Sequence, residues 1–152
     1  MRLALFEPDI PQNLGAFIRL AACLGVPLDV IEPCGFPVDD KRIRRAAMDY
    51  YDLAAIRRHA SWNAFQRDRA PGRLVLLTAA GATRFPEASF HTDDTLLVGR
   101  ESAGVPAEVH DAADLRLRIP LQKSLRSLNV ATAAAMVLGE ALRQTNGYAA
   151  LT

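Results

Sequence analysis

The chain predicts an α/β fold: a mostly parallel sheet flanked by helices on both faces. Three observations carry this. Short apolar runs, among them residues 2–6, 28–31, 73–78 and 95–98, alternate with segments of helical period. Those runs are mostly apolar rather than alternating, as in strands covered on both faces. Punctuation by Glu7-Pro8, Gly25, Glu32-Pro33 and Pro71-Gly72 separates them.

In order, residues 2–6 read as the first strand. Asn13 is placed to cap a helix whose apolar positions are Leu14, Phe17, Ile18, Ala21 and Leu24, with Gly25 as its stop. Residues 28–31 form a second strand. Asp39 and Asp40 precede Lys41, Arg42, Arg44 and Arg45, an order that suits a helix dipole. Residues 53–56 are read as a third strand. Ser61 caps a helix carrying Trp62 and Phe65. Residues 73–78 and 95–98 are the clearest buried strands. Pro106 opens a short helix over 107–113. Residues 115–119 are the last strand, and 129–145 the longest helix, ending near Asn146-Gly147.

At 152 residues the chain reads as one domain, residues 1–152, without an appended RNA-binding domain. Half its residues are hydrophobic and 23% charged, which excludes a disordered chain. The net charge of +1 announces no acidic partner by itself. Cys23 and Cys34 lack metal spacing and read as reduced thiols, so the expectation is a cytoplasmic protein. His59, His91 and His110 share no ligand spacing, and no metal is expected. No apolar run approaches the ~18–20 residues of a membrane span.

Three segments follow strands and open helices, where ligands of α/β proteins bind. They are Pro11–Gly15 leading to Arg19, Gly99–Pro106, and residues 119–129. Gly99 and Gly104 bracket Glu101 without forming the G-x-G-x-x-G fingerprint. Arg100 bars a nucleophile elbow at Ser102, which disfavours a small hydrolase. Ser127 and Asn129 are good helix caps, and Ile119-Pro120-Leu121 an apolar approach. A solvated helix face is the plain reading of Arg19. Lys41, Arg42, Arg44 and Arg45, then Arg57, Arg58 and His59, then Lys123 and Arg126 are basic clusters. Tyr50, Tyr51 and Trp62 are near them, so they read either as solvated faces or as phosphate tracks with stacking rings.

Together and in this order, the segments resemble the three motifs of the SPOUT class of trefoil-knotted RNA methyltransferases. They read Pro11-x-Asn13-x-Gly15-x3-Arg19, then Gly99-x-Glu101-x2-Gly104-x-Pro106, then Ile119-Pro120 with Ser127-Leu128-Asn129 and a long helix carrying Glu140. The likeness spans residues 2–143. Phe6-Glu7-Pro8-x-Ile10-Pro11 and the 36–50 stretch are similar to the minimal subfamily acting on the wobble ribose of tRNA.

The resemblance implies a C-terminal knot and a homodimer built on the first and last helices. It implies S-adenosyl-L-methionine as methyl donor, S-adenosyl-L-homocysteine as product, and the anticodon stem-loop of tRNA as partner. By resemblance, Leu77, Thr78, Gly99, Glu101, Ile119, Leu121, Ser127 and Leu128 hold the donor. Arg19, Ser127 and Asn129 serve catalysis, and Arg19, Lys41, Arg42, Arg44, Arg45, Lys123 and Arg126 meet RNA. Gly139, Gln12 and Lys123-Ser124-Leu125 depart from the family pattern. Another ribose of tRNA or ribosomal RNA, or an inactive knotted RNA binder, are the alternative expectations.

Overall fold

The computed structural model describes residues 1–39 and 41–151. Asp40, expected with Asp39 ahead of the second helix, lies outside the described residues. Strands β1 (Arg2–Phe6), β2 (Leu28–Ile31), β3 (Ile56–His59), β4 (Leu74–Leu77), β5 (Thr83–Arg84), β6 (Thr95–Val98) and β7 (Leu115–Arg118) form one sheet. Its order is β3-β2-β1-β6-β4-β7-β5. Every pairing is parallel, so every strand presents its C-terminal end at the same edge. The helices are α1 (Pro11–Leu24), α2 (Lys41–Ala47), α3 (Trp62–Asp68), α4 (Ala107–Asp111) and α5 (Val130–Gln144).

Side chains alternate across the sheet, as a pleated strand requires. Leu3, Leu5, Val30, Val75, Leu96 and Val98 face α1, α2 and α5. Ala4, Phe6, Ile31, Leu74, Leu76 and Leu97 face Trp62 and Phe65 of α3 and Val109 of α4. The apolar face of α1 (Leu14, Phe17, Ile18, Ala21) is buried almost completely. Each large side chain there contributes roughly 1.5–3 kcal/mol by leaving water.

Several boundaries differ from the sequence reading, each for a local reason. Helix α1 starts two residues before Asn13: Pro11 occupies its first turn, where a missing N–H costs nothing, and Ile10 stands at the cap position without a side-chain bond. The third strand lies at Ile56–His59, not 53–56. Leu53 and Ala54 instead donate backbone N–H groups to Tyr50 O, closing a turn, and Leu53 is 73% exposed. Helix α4 starts at Ala107 as expected, with Pro106 at its cap position, but stops at Asp111 rather than 113. Strand β5, two residues long, had no sequence signal. The Gly25 stop holds, at φ 63°, and Ser61 caps α3 by accepting from the Ala64 N–H at 3.1 Å.

His59 is not part of a basic surface. It is buried, its Nε2 lies 2.8 Å from Asp29 Oδ1, and its ring meets Phe65 edge-on. Asp29 also accepts from Arg2 Nε at 2.9 Å, so three strands share one polar link. Arg57 and Arg58 are likewise engaged, with Asp68 O and Glu32. Both cysteines are free thiols; burial pushes that of Cys34 up to about 11.

Helices α1 and α2 touch through Gly15. A Cβ there would lie 2.5 Å from Ala46 Cβ and 2.6 Å from Ile43 O. Alanine gains about 1 kcal/mol of helix propensity over glycine. Forcing the helices apart costs about 1–3 kcal/mol, and a backbone carbonyl cannot swing aside. Gly15→Ala is therefore expected to lower the urea midpoint; an unchanged or raised midpoint contradicts this packing.

Candidate active site

The loops after β4, β6 and β7 leave the same sheet edge and enclose a cavity of about 630 Å³. That is within the size range of small-molecule sites. Leu77 ends β4 and Thr78 opens the first loop, while Gly99 and Glu101 come from the second. Ile119, Leu121, Arg126, Ser127, Leu128 and Asn129 come from the third. All ten line the cavity. Arg19, Lys41, Arg42, Arg44, Arg45 and Lys123 are not among its lining residues.

The second loop is a closed turn. The Arg100 N–H donates to Gly104 O, and the Gly104 N–H donates to Arg100 O, both at 2.9 Å. Gly99 must be glycine because a Cβ would lie 2.5 Å from the Gly104 carbonyl carbon. Gly104 closes the turn at φ 65°. Arg100 also pairs with Glu7, which carries a positive φ of 46°.

Glu101 at the turn's tip is the centre of a polar chain. Its Oε1 accepts from Asn13 Nδ2 at 2.9 Å, and its Oε2 from the Asp9 N–H at 3.0 Å. Asn13 Oδ1 in turn accepts from Asn129 Nδ2 at 2.9 Å. Asn129 Oδ1 then caps α5 by accepting from the N–H groups of Ala131 and Thr132 at 3.0 and 3.2 Å. Burial pushes the Glu101 carboxyl up, and its contact with Asp9 adds to this. The hydrogen bond to Glu101 holds Asp9 below the usual carboxylate range, so Asp9 is the stronger acid of the pair. Asn13 and Asp9 were missed as members of this group. The sequence presents Asn13 as a cap, although its place in the first segment is the available signal.

Arg19 lies on the outer side of α1. Its Nη1 is 3.1 Å from Met48 Sδ, and its guanidinium carbon is 5.6 Å from the centre of the Tyr50 ring. Arg44 stacks similarly on Tyr51 at 4.5 Å. Met48 holds a left-handed φ of 55°, unfavourable for an unbranched non-glycine residue. Basic and aromatic side chains thus interleave on one surface.

His91, Asp93 and Asp94 bring possible metal-ligating atoms within 4.8 Å of one another. Asp94 is already engaged, accepting from Arg73 Nε and Nη2 at 2.8 and 2.7 Å and from the His91 N–H at 2.8 Å. Its carboxylate has a structural partner, and the group carries no metal assignment.

This architecture is that of the α/β knot methyltransferases. A solved structure described as "Structural insights into the 2-OH methylation of C/U34 on tRNA" is 40% identical, with a TM-score of 0.91 over 96% of both chains. The SpoU methyltransferase AviRb of Streptomyces viridochromogenes, in complex with AdoMet, is 28% identical, with a TM-score of 0.83 over 95% of this chain and 60% of that one. The tRNA (cytidine(34)-2'-O)-methyltransferase of Ancylobacter novellus is 58% identical over 98% of this chain and 96% of its own. The enzyme of that name from Escherichia coli K12 is 42% identical, covering 97% and 95%. The SpoU rRNA Methylase family profile matches residues 1–139, and the chain belongs to that family.

Asn129 both caps α5 and binds Asn13. Asn129→Ala is expected to cost about 1–3 kcal/mol, the cap plus an unpaired amide oxygen on Asn13. Thermal unfolding measures this; a loss well under 0.5 kcal/mol would contradict the bridging role.

Proposed function

We propose that this chain transfers a methyl group from S-adenosyl-L-methionine to the ribose 2'-hydroxyl of the wobble nucleotide, cytidine or uridine 34, of tRNA. In this reading residues 1–152 act as one domain, two copies pair, and the anticodon stem-loop is the part of tRNA engaged. The supporting observation is geometric: three segments distant in sequence meet on one apolar cavity and are tied together by Glu101, Asn13 and Asn129. Near-full-length likeness to enzymes of that named activity supports the substrate.

The cavity suits an adenosine-bearing ligand. Leu77, Ile119, Leu121 and Leu128 offer apolar surface to a purine. Leu121 and Leu128 are 38% and 40% exposed, so burying them under a ring is favourable. When bound, S-adenosyl-L-methionine supplies a sulfonium methyl that reacts with an oxygen nucleophile, leaving S-adenosyl-L-homocysteine. The residues have two tasks: to align the nucleophile and to help it lose a proton. Ser127 and Asn129 fix the wall beside the reacting end. Arg19 cannot serve as a base, because a guanidinium stays protonated. Its role is to stabilise negative charge on the ribose oxygen and anchor the adjacent phosphate, which accepts the proton.

Arg19 lies outside the cavity of its own chain, so the pairing of two copies matters to this reading. Met136 on α5 is 43% exposed and Ile10 before α1 41%, apolar surface that a partner copy would cover. Ala131, Ala133 and Ala135 are half-buried, whereas Ala134 belongs to the chain's own core. Lys41, Arg44 and Arg45 are exposed beside the Arg19–Tyr50 and Arg44–Tyr51 stacks, and with Arg42, Lys123 and Arg126 they are the phosphate contacts.

Tritiated methyl transfer to bulk tRNA, followed by nucleoside mapping, is expected to put label on the ribose of nucleotide 34. Label on a base, or on another ribose, would overturn the assignment. Arg19→Lys keeps the charge but loses the planar fork. It is expected to lower turnover by about 10²–10³, the range for losing one such stabilising donor, while donor affinity stays near normal. Near-normal turnover would remove Arg19 from the mechanism. Binding of tRNA should weaken at least about tenfold between ~50 and ~200 mM salt. Flat affinity over that range would contradict phosphate contact by the basic surface.

A further inference from the structure

Asp9 is not among the residues lining the cavity, yet it is bonded to the turn that forms one of its walls. We propose that Asp9 is a positioning residue: a clamp that fixes the 100–104 turn and, through Glu101, sets the donor-binding geometry of the cavity. The inference rests on the donor reading given above. It adds a residue that the three motifs do not contain.

The contacts are reciprocal. The Asp9 N–H donates to Glu101 Oε2 at 3.0 Å, while Asp9 Oδ1 accepts from the Glu101 N–H at 3.1 Å. Asp9 Oδ2 accepts from Ser102 Oγ. Both carboxylate oxygens are thus used by consecutive residues of the turn, which fixes its position and its rotation together. Charge-assisted bonds of this kind are the stronger ones. Being the stronger acid of the pair, Asp9 keeps its charge for them. The neighbouring carboxylate, Glu7, is paired with Arg100 and so does not compete.

Asp9 is itself held from behind. The Gly35 N–H donates to Pro8 O at 2.9 Å. A Cβ on Gly35 would lie 2.8 Å from Asp9 Cβ and 3.0 Å from its Cα. Gly35 is therefore required for space, and the loop after β2 backs the clamp. From Gly35 the contacts run to Asp9, to Glu101, to Asn13 and to Asn129. A residue that merely shaped a surface turn would affect stability alone. A clamp on one wall acts on the donor and leaves the tRNA contacts untouched.

The test compares Asp9→Ala, Asp9→Asn and Gly35→Ala with the unaltered chain. Donor dissociation constants come from calorimetry with S-adenosyl-L-methionine, and KM values for donor and tRNA from steady-state transfer. Asp9→Ala is expected to raise the donor Kd and KM about tenfold or more, with KM for tRNA little changed. Asp9→Asn should recover much of the loss, because its amide oxygen still accepts from the Glu101 N–H. Gly35→Ala should reproduce the donor defect although Gly35 does not line the cavity. If Asp9→Ala fails to fold, Asp9→Asn and Gly35→Ala carry the test. Folded Asp9→Ala or Gly35→Ala protein with normal donor affinity would overturn the clamp. So would equal rises in both KM values. Failure of the unaltered chain to bind the donor would instead overturn the donor reading on which the clamp rests.

Discussion

The structure depends on one polar chain, running from Asn129 through Asn13 to Glu101 and Asp9. It joins the first turns of two helices to the tip of a glycine-bounded loop. A half-buried carboxylate is costly unless donors surround it, and here an amide side chain and a backbone N–H supply them. The same bonds that satisfy Glu101 hold three segments in register. Their chemistry is specific to these residue types: Asn13 donates to Glu101 and accepts from Asn129, which few side chains can do at once. Asn129 repeats the pattern, donating to Asn13 while its oxygen caps α5.

The sheet makes this convergence possible. Because every strand pairing is parallel, the loops after β4, β6 and β7 share one edge, and neighbouring strands bring those loops close. Apolar layers cover both faces of the sheet. The cavity is thus a consequence of topology, and its polar rim a consequence of a few residues placed on it. The likeness to SpoU methyltransferases covers this frame along nearly its whole length. A surface of exposed Lys41, Arg44 and Arg45 with stacked Tyr50 and Tyr51 completes the arrangement outside the cavity.

Much of the frame was readable in the sequence because it rests on local signals. Apolar strands 2–6, 28–31 and 95–98, the Gly25 stop and the Ser61 cap all sit where expected. The errors came where local signals compete. Asn13 looks like a helix cap, but Pro11 sets the helix start, which frees the Asn13 side chain for Glu101. Residues 53–56 are apolar enough for a strand, yet the backbone turn onto Tyr50 takes them first. His59 looked like part of a basic cluster, and its pairing with Asp29, thirty positions away in sequence, is invisible without the fold. Strand β5, at two residues, is too short to have a period. Asp9 carries no motif, and its partner Glu101 lies 92 positions on. The knotted topology has no periodicity signature, and only the resemblance of the three motifs implied it.

The most direct test of the account is amide hydrogen exchange with and without S-adenosyl-L-methionine. If the loops after β4, β6 and β7 grip one ligand, residues 77–79, 99–105 and 119–129 should slow together on addition of the donor, with α3 and β3 unaffected. Protection confined to one of these segments, or appearing elsewhere on the sheet, would contradict a shared site.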